Sequence, residues 1–344
     1  MNYFFFILVP ILIYYINFYI AKYRYFLNYS GENHQKVLGI KHTPLSGGIF
    51  LILFLSIVFL EKDIFTYIFL ILIFLLGLFS DLKILSVPSS RLFYQSILIV
   101  LFVYFSNFET ISTRVIFIDQ ALQNYYISIF FSAFCLIILI NGTNFIDGLN
   151  GLVLIYYLIV LTILYKLNLL AGINLTDLNF IHFCYFLIVL IIFNLLNKIY
   201  LGDSGAYLLG LFIGFILIKI HNFNSNISPF FVVLLLWYPC FENLFSILRK
   251  FKLGKSPVAP DSKHFHHLFF YYLKKKFKLN DLICNNYSSF IISLYNLIVL
   301  FFGSYNIYNT NLLIILILVN ILVYTLIYLK LFRFKYKILI SNKK

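Results

Sequence analysis

Apolar blocks long enough to cross a hydrocarbon core recur from one end of this chain to the other, and no other feature of the sequence limits its fold as severely. A membrane-spanning helix needs about 17–25 predominantly apolar residues. Eleven such segments can be drawn, at roughly 3–20, 46–60, 64–79, 92–105, 125–140, 152–170, 180–196, 205–220, 229–247, 288–303 and 312–330. Inside lipid the backbone must satisfy its own hydrogen bonds, and continuous apolar blocks do so as helices. The alternating period of a barrel strand is absent. Charged residues make up 11% of the 344 and hydrophobic ones 62%, whereas a soluble domain is about a quarter charged. The chain is therefore expected to be an all-α integral membrane protein of 10 to 11 transmembrane helices, a single polytopic domain over 1–344. The first block, Tyr3 to Ile20, lacks a basic leader and a small-residue cleavage site, and reads as a retained helix.

Lys and Arg set the expected orientation. All but Lys62, Arg114, Lys166 and Lys219 of the 26 basic residues fall in one alternating set of loops and in the C-terminal tail. By the positive-inside rule that set is cytoplasmic, with the N-terminus outside and the C-terminus in the cytoplasm. The net charge of +14 is thus mostly a topology signal, and nucleic acid is not an expected partner. Cys135, Cys184, Cys240 and Cys284 are scattered, with no CxxC pair to suggest a disulfide framework or a thiolate metal site.

The unusual polar residues gather on the same basic side. Asp81 follows the third span, and the segment Asn141-Gly-Thr-Asn-Phe-Ile-Asp-Gly-Leu-Asn-Gly151 follows the fifth. Its glycines permit backbone turns, while Asn141, Asn144, Asp147 and Asn150 offer groups to a nucleobase or phosphate; the plainer alternative is an Asn/Gly turn between spans. Asp203 and Ser204, after the seventh span, are suited either to capping a helix or, through Asp203, to Mg²⁺, which takes one or two carboxylates plus substrate phosphates. The loop 248–287 is long enough for short helices of its own and carries His264, His266 and His267. No Cys or spaced carboxylate completes a tetrahedral zinc set there. Beside Arg249 and several lysines the histidines read as a diphosphate-binding surface, with a solvated basic loop as the alternative. Glu242, near Pro239 at the end of the ninth span, is a candidate buried charge able to orient the histidine loop. Lys41 and His42, ahead of the glycine pair Gly47-Gly48, either contact phosphate or close the turn into the second span.

In order along the chain, Thr43-Pro-Leu-Ser-Gly-Gly48, the Gly77 to Gln95 segment with Asp81 and Arg91, Asn144-Phe-Ile-Asp-Gly148, Gly202-Asp-Ser-Gly205 and His264-Phe-His-His267 resemble the polyprenyl-phosphate N-acetylhexosamine-1-phosphate transferases. That superfamily also contains the phospho-N-acetylmuramoyl-pentapeptide transferase of peptidoglycan synthesis. The resemblance spans about residues 41–270. It implies transfer of N-acetylhexosamine 1-phosphate from a UDP-sugar to polyprenyl (undecaprenyl) phosphate, with UMP released, at the cytoplasmic face of a bacterial inner membrane. The product would initiate lipopolysaccharide O-antigen or another cell-envelope glycan. On this pattern Asp81, Asp147 and Asp203 are the catalytic positions, with Asp203 the ligand of Mg²⁺ or, in its place, Mn²⁺. Asn144, Asn150, His264, His266, His267, Lys41 and Arg91 are the substrate-binding positions, and a homodimer is in keeping with the family.

Two departures stand out. The family's adjacent aspartates after the third span are Ser80-Asp81 here, and its DGxDG pattern reads Asp147-Gly-Leu-Asn-Gly151. Asp81→Asn is therefore expected to lower turnover far more than Ser80→Ala. Three other readings compete: the peptidoglycan transferase itself; an inactive relative, suggested by Ser80 and Asn150; and, from another class, a lipid or solute transporter, although transporters bind substrate near the bilayer midplane and the polar residues here cluster at one face.

Overall fold

The computed structural model describes residues 3–26, 43–59, 63–106, 110, 112–170, 177–254, 256 and 263–341. Lys41 and His42 lie outside the described residues. The described chain is helical: α1 (Tyr3–Lys22), α2 (Gly47–Phe59), α3 (Ile64–Asp81), α4 (Pro88–Ser106), α5 (Ile116–Leu122), α6 (Tyr125–Ile146), α7 (Leu152–Lys166), α8 (Asp177–Leu195), α9 (Gly202–Phe223), α10 (Pro229–Leu235), α11 (Trp237–Lys252), α12 (Phe265–Phe277), α13 (Asp281–Gly303) and α14 (Thr310–Ser341). Every expected span falls on one of these. Among the described residues α1, α3, α4, α6, α9, α13 and α14 are long and apolar enough to cross a bilayer alone, and the bent pair α10–α11 qualifies as one more. The remaining expected spans correspond to α2, α7 and α8, which are shorter apolar helices. The protein is an all-α integral membrane protein.

Side chains that satisfy orphan N–H groups start several helices. Asp63 accepts from Thr66 N ahead of α3, Asn124 from Tyr126 N and Ile127 N ahead of α6, and Asn280 from Leu282 N ahead of α13. Ser228 caps α10, whose first residue is Pro229.

The ninth span is not one rod. α10 and α11 meet at Leu236 with a 76° bend. Pro239 explains the break: proline has no N–H to give the carbonyl four residues earlier and its ring crowds that carbonyl. The freed carbonyl belongs to Leu235, and it accepts instead from Tyr156 Oη of α7 at 2.9 Å. The expected loop 141–151 also differs, because α6 continues through Asn141 and Asn144 to Ile146. Tertiary packing overrides the weak helix propensity of Asn and Gly there: Asn141 Nδ2 donates to Gln95 Oε1 of α4 at 2.8 Å, and α11 packs along the same helix.

α9 is the buried centre, packed against α2, α3, α6 and α10. Its entry is held by a backbone clasp. Tyr200 N donates to Pro44 O (2.9 Å), Gly47 N to Tyr200 O (3.0 Å) and Gly48 N to Leu201 O (3.3 Å), while Thr43 Oγ1 donates to Asn197 O at 3.0 Å. The Thr43–Gly48 segment thus fixes the chain that leads into α9.

Candidate active site

α9 opens with N–H groups that its own helix cannot satisfy. Asp81, the last residue of α3, supplies the acceptor from outside. Asp203 N donates to Asp81 Oδ1 at 2.8 Å and Ser204 N to Asp81 Oδ2 at 3.0 Å. A carboxylate is favoured at this position by the positive end of the helix dipole. Gly202 allows the approach: its φ is +74°, and a Cβ there would lie 2.7 Å from Asp81 Oδ2.

Capping by Asp81 leaves Asp203 free to turn its own carboxylate toward α4. Asp203 Oδ2 accepts from Ser80 Oγ at 2.5 Å and from Arg91 Nη1 at 2.8 Å, and Arg91 Nη1 also donates to Ser80 Oγ at 2.6 Å. Such charge-assisted bonds are about twice as strong as neutral ones. Arg91 and Asp203 keep 24% and 23% of their side-chain surface exposed, so the pair remains reachable from outside the bundle.

Asp147 follows the last turn of α6, where its N–H donates to Asn144 O at 3.3 Å. Burial, and then the charges of Asp203 and Asp81, push its carboxyl well above the usual carboxylate range. The structure therefore brings all three predicted acids, Asp81, Asp147 and Asp203, to one end of the bundle, with Asn144 and Arg91 beside them. Among the described residues no three His, Cys, Asp or Glu side chains stand close enough to enclose a cation. The donors nonetheless fit a hard divalent ion such as Mg²⁺, which keeps most of its shell for water and phosphate oxygens. Were such an ion bound, Asp203 and Asp147 would be the carboxylates left to hold it, since both oxygens of Asp81 already accept backbone N–H groups.

The histidine motif completes the site from the other direction. His264 precedes α12, and its ring lies 5.1 Å from Phe145 and is stacked on His266 at 5.7 Å. His267 lies 4.2 Å from His266. His266 is fully buried, and its Nε2 occupies the space that a side chain at residue 148 would fill. Glu242, as anticipated, holds this loop: its carboxylate accepts from His264 Nδ1 and Phe265 N.

Burial, followed by the neighbouring His267 and His264, holds the His266 imidazole well below its ordinary 6.5. The sign of the linkage follows. Below pH 6.5 the unfolded chain takes up a proton at this position that the folded chain refuses, so stability falls as pH drops below that value toward the depressed pKa of the folded state. ¹⁵N spectra of histidine-labelled protein should show His266 still neutral at pH values where an ordinary histidine is protonated. A normal titration near 6.5 would contradict the buried placement.

Asn150 is buried and held by other amides. Its N–H donates to Asn285 Oδ1 (2.7 Å) and its side-chain amide to Asn197 Oδ1 (2.5 Å), while Gly151 N donates to Asn194 Oδ1. This buried amide network ties the start of α7 to the end of α8 and to α13. Ser80 and Tyr324 were not singled out from the sequence. Ser80 showed only as a departure from a motif, and Tyr324 is one of 28 tyrosines, with no local signal to separate it from a lipid-facing ring.

The stretch of chain that holds most of these residues is similar to known proteins. The family model for glycosyl transferase family 4 matches residues 64–221, the stretch that carries Asp81, Arg91, Asn144, Asp147 and Asp203. The chain is 28% identical over 230 residues to an undecaprenyl-phosphate alpha-N-acetylglucosaminyl 1-phosphate transferase of Thermotoga maritima, covering 66% of this chain and 67% of that protein. It is 30% identical over 233 residues to a phospho-N-acetylmuramoyl-pentapeptide-transferase of Dictyoglomus turgidum, covering 61% and 69%. A probable undecaprenyl-phosphate N-acetylglucosaminyl 1-phosphate transferase of Bacillus subtilis is 29% identical over 130 residues, 37% of this chain and 36% of that one. With two of these likenesses extending over two thirds of the relative's length and the matched stretch holding the clustered acids, this membrane protein is a transferase that belongs to glycosyl transferase family 4.

Proposed function

We propose that the chain transfers N-acetylhexosamine 1-phosphate from a UDP-sugar to polyprenyl phosphate, forming polyprenyl-diphosphate-sugar and UMP. The observation that carries this is the meeting of Asp81, Asp147 and Asp203 with Arg91 and the histidine motif at one end of the bundle. An oxygen of the lipid phosphate attacks the sugar-proximal phosphorus. The bond from that phosphorus to the bridging oxygen breaks, and UMP leaves with the oxygen and its electron pair. Both reactants are anions, so the site must offset their repulsion and stabilise the transferring phosphoryl group. Asp203 and Asp147 would hold a divalent cation, which when bound would supply part of that charge. Arg91 supplies more from α4, Asn144 contributes to holding the nucleotide, and the histidines face the diphosphate. The acceptor phosphate is already a nucleophile near neutral pH, which leaves Asp81 the role of setting α9, and with it Asp203, in register. The hydroxyl of Ser80 steadies both partners of the Arg91–Asp203 pair. Asp81→Asn, which loses one of two backbone acceptors, should therefore lower turnover about 100-fold. Ser80→Ala should lower it about tenfold or less. Comparable losses in both, measured as steady-state UMP release, would remove the capping role of Asp81.

The acceptor's hydrocarbon has a place to lie. An open apolar groove of about 590 Å³ runs between α4 and α6, lined by Ser96, Val100, Phe130, Phe134 and Ile137 among others. It starts within a turn of the Gln95–Asn141 hydrogen bond, on the same helix as Arg91. The basic bias of the loops supports placement in a bacterial plasma membrane with this end toward the cytoplasm, where UDP-sugars are made, and a role at the start of a lipopolysaccharide or other envelope glycan.

The test is product formation by purified protein in detergent from a panel of UDP-N-acetylhexosamines and undecaprenyl phosphate, with Mg²⁺ or EDTA. Metal-dependent UMP release with a matching lipid-diphosphate-sugar is expected. The likeness to the Dictyoglomus turgidum protein makes UDP-N-acetylmuramoyl-pentapeptide a necessary arm. Product from that donor alone would move the chain to the peptidoglycan reaction. No product from any donor, beside a working transferase, would overturn the proposal.

A further inference from the structure

We infer that Glu242 orients His264 toward the transfer site and that Tyr324 of the C-terminal helix α14 holds Glu242 in place to do so. The inference rests on the proposed function, in which the histidine motif faces the diphosphate.

Glu242 lies on α11, three residues past the proline that breaks the span, and is 0% exposed. Three donors converge on its carboxylate. His264 Nδ1 donates to Oε1 at 2.9 Å, Phe265 N to the same oxygen at 3.2 Å, and Tyr324 Oη to Oε2 at 2.5 Å. A buried carboxylate is tolerated only where such bonds replace its hydration. Their geometry also has a chemical consequence. An acceptor facing Nδ1 fixes the proton on that nitrogen and leaves Nε2 as the ring atom available to a partner. The ring cannot turn away, because Phe145 and His266 flank it. Phe145 stands between Asn144 and Asp147, so the orientation set by Glu242 is registered directly against the acid-bearing segment.

The bond from Phe265 N adds a second constraint. His264 occupies the N-cap position of α12 without making a side-chain cap bond, and Glu242 takes over that task from another helix. Asp81 does the same for α9. In each case an acid from outside the helix fixes the turn that presents a site residue. Tyr324 is wedged among Phe241, Phe245 and Phe265, with ring centroids 5.0, 5.5 and 4.8 Å away. α14 lies beyond the residues that the family model matches, 64–221.

The experiment compares Glu242→Met, Glu242→Gln and Tyr324→Phe with wild type, using UDP-N-acetylglucosamine and undecaprenyl phosphate, alongside the ¹⁵N spectrum of His264. Met removes the acceptor at similar volume. Its kcat should fall about 10- to 100-fold with KM for the UDP-sugar within about threefold, and His264 should lose its fixed Nδ1–H tautomer. Gln keeps an acceptor and should restore both the tautomer and most of the turnover, and Tyr324→Phe should show a smaller loss in the same sense. Wild-type turnover in Glu242→Met overturns the inference, as does a Gln variant as impaired as Met in protein of native helicity. If wild type itself makes no lipid-linked product from this donor or from any other of the UDP-sugar panel, the proposed function fails. The spectrum still decides the orientation in that case, and an unchanged His264 tautomer in Glu242→Met rejects it.

Discussion

Asp203→Asn is expected to lower single-turnover formation of the lipid-linked product by about a thousandfold while leaving the helices intact. The side chain keeps its size, so the first turn of α9 stays capped by Asp81. What disappears is the negative charge that Arg91 Nη1 and Ser80 Oγ meet at Oδ2 and that a divalent cation needs. Without it Arg91 faces an amide. One amide oxygen cannot serve the guanidinium, the hydroxyl and a cation together, while the amide nitrogen opposes both the guanidinium and a cation. The stability change should be small, about 1 kcal/mol or less, because the Arg91–Asp203 pair is partly exposed and solvent screens it. Single-turnover kinetics and a thermal melt of the same sample separate the two effects. Activity within tenfold of wild type would take Asp203 out of the reaction centre. A melt lowered as steeply as the activity would make it a structural residue.

Gly77→Val should disable the protein by a different route, through the contact between α3 and α9. A Cβ at 77 would lie 2.7 Å from Ser204 N and 2.8 Å from Asp203 O, which are backbone atoms of the turn that Asp81 caps. Backbone cannot swing aside as a side chain does, so α3 must withdraw. Overpacking of this kind costs about 1–3 kcal/mol, occasionally more, and here the displacement also pulls Asp81 from its two N–H donors and Ser80 from Asp203. Activity should fall at least about 100-fold, with a clear drop in the thermal midpoint. Gly214→Ala is the control. Its added Cβ would meet only the ends of the Leu136 and Leu139 side chains, which can rotate, and it should stay within about 1 kcal/mol and near full activity. Equal tolerance at both positions would mean that α3 and α9 are not in register as described.

Much of the fold was legible because lipid imposes a length and an apolar composition on every crossing. The limits of the spans were not. α6 extends past Ile140 through Asn141, Gly142 and Asn144 because packing against α4 and α11 outweighs local preference, and no window of hydropathy contains that partner. Pro239 was visible in the sequence, yet the 76° turn it permits at Leu236 depends on Tyr156 accepting the role of donor to Leu235 O. The same division runs through the site. Asp203 stood out as a carboxylate beside glycines at a helix mouth, Asp147 as the acid of an Asn/Gly-rich segment and Asp81 only as an acid just past a span end, and the three do converge. Asn150 stood out in the same Asn/Gly-rich segment as Asp147, and its hydrogen bonds run to Asn197 and Asn285.

By itself, then, the sequence determined that this protein is a helical membrane bundle and which polar residues sit at span ends. Both follow from one-dimensional properties, the length of each apolar run and the residue that interrupts it. Tertiary structure alone decided what each polar group does. Ser80 and Arg91 share one oxygen of Asp203, Asp81 caps a helix that begins 121 residues later in the chain, and Tyr324 reaches back to Glu242 from the C-terminal helix. A hydrogen bond is set by distance and direction between atoms whose separation along the chain is arbitrary, and only the packed bundle supplies that distance.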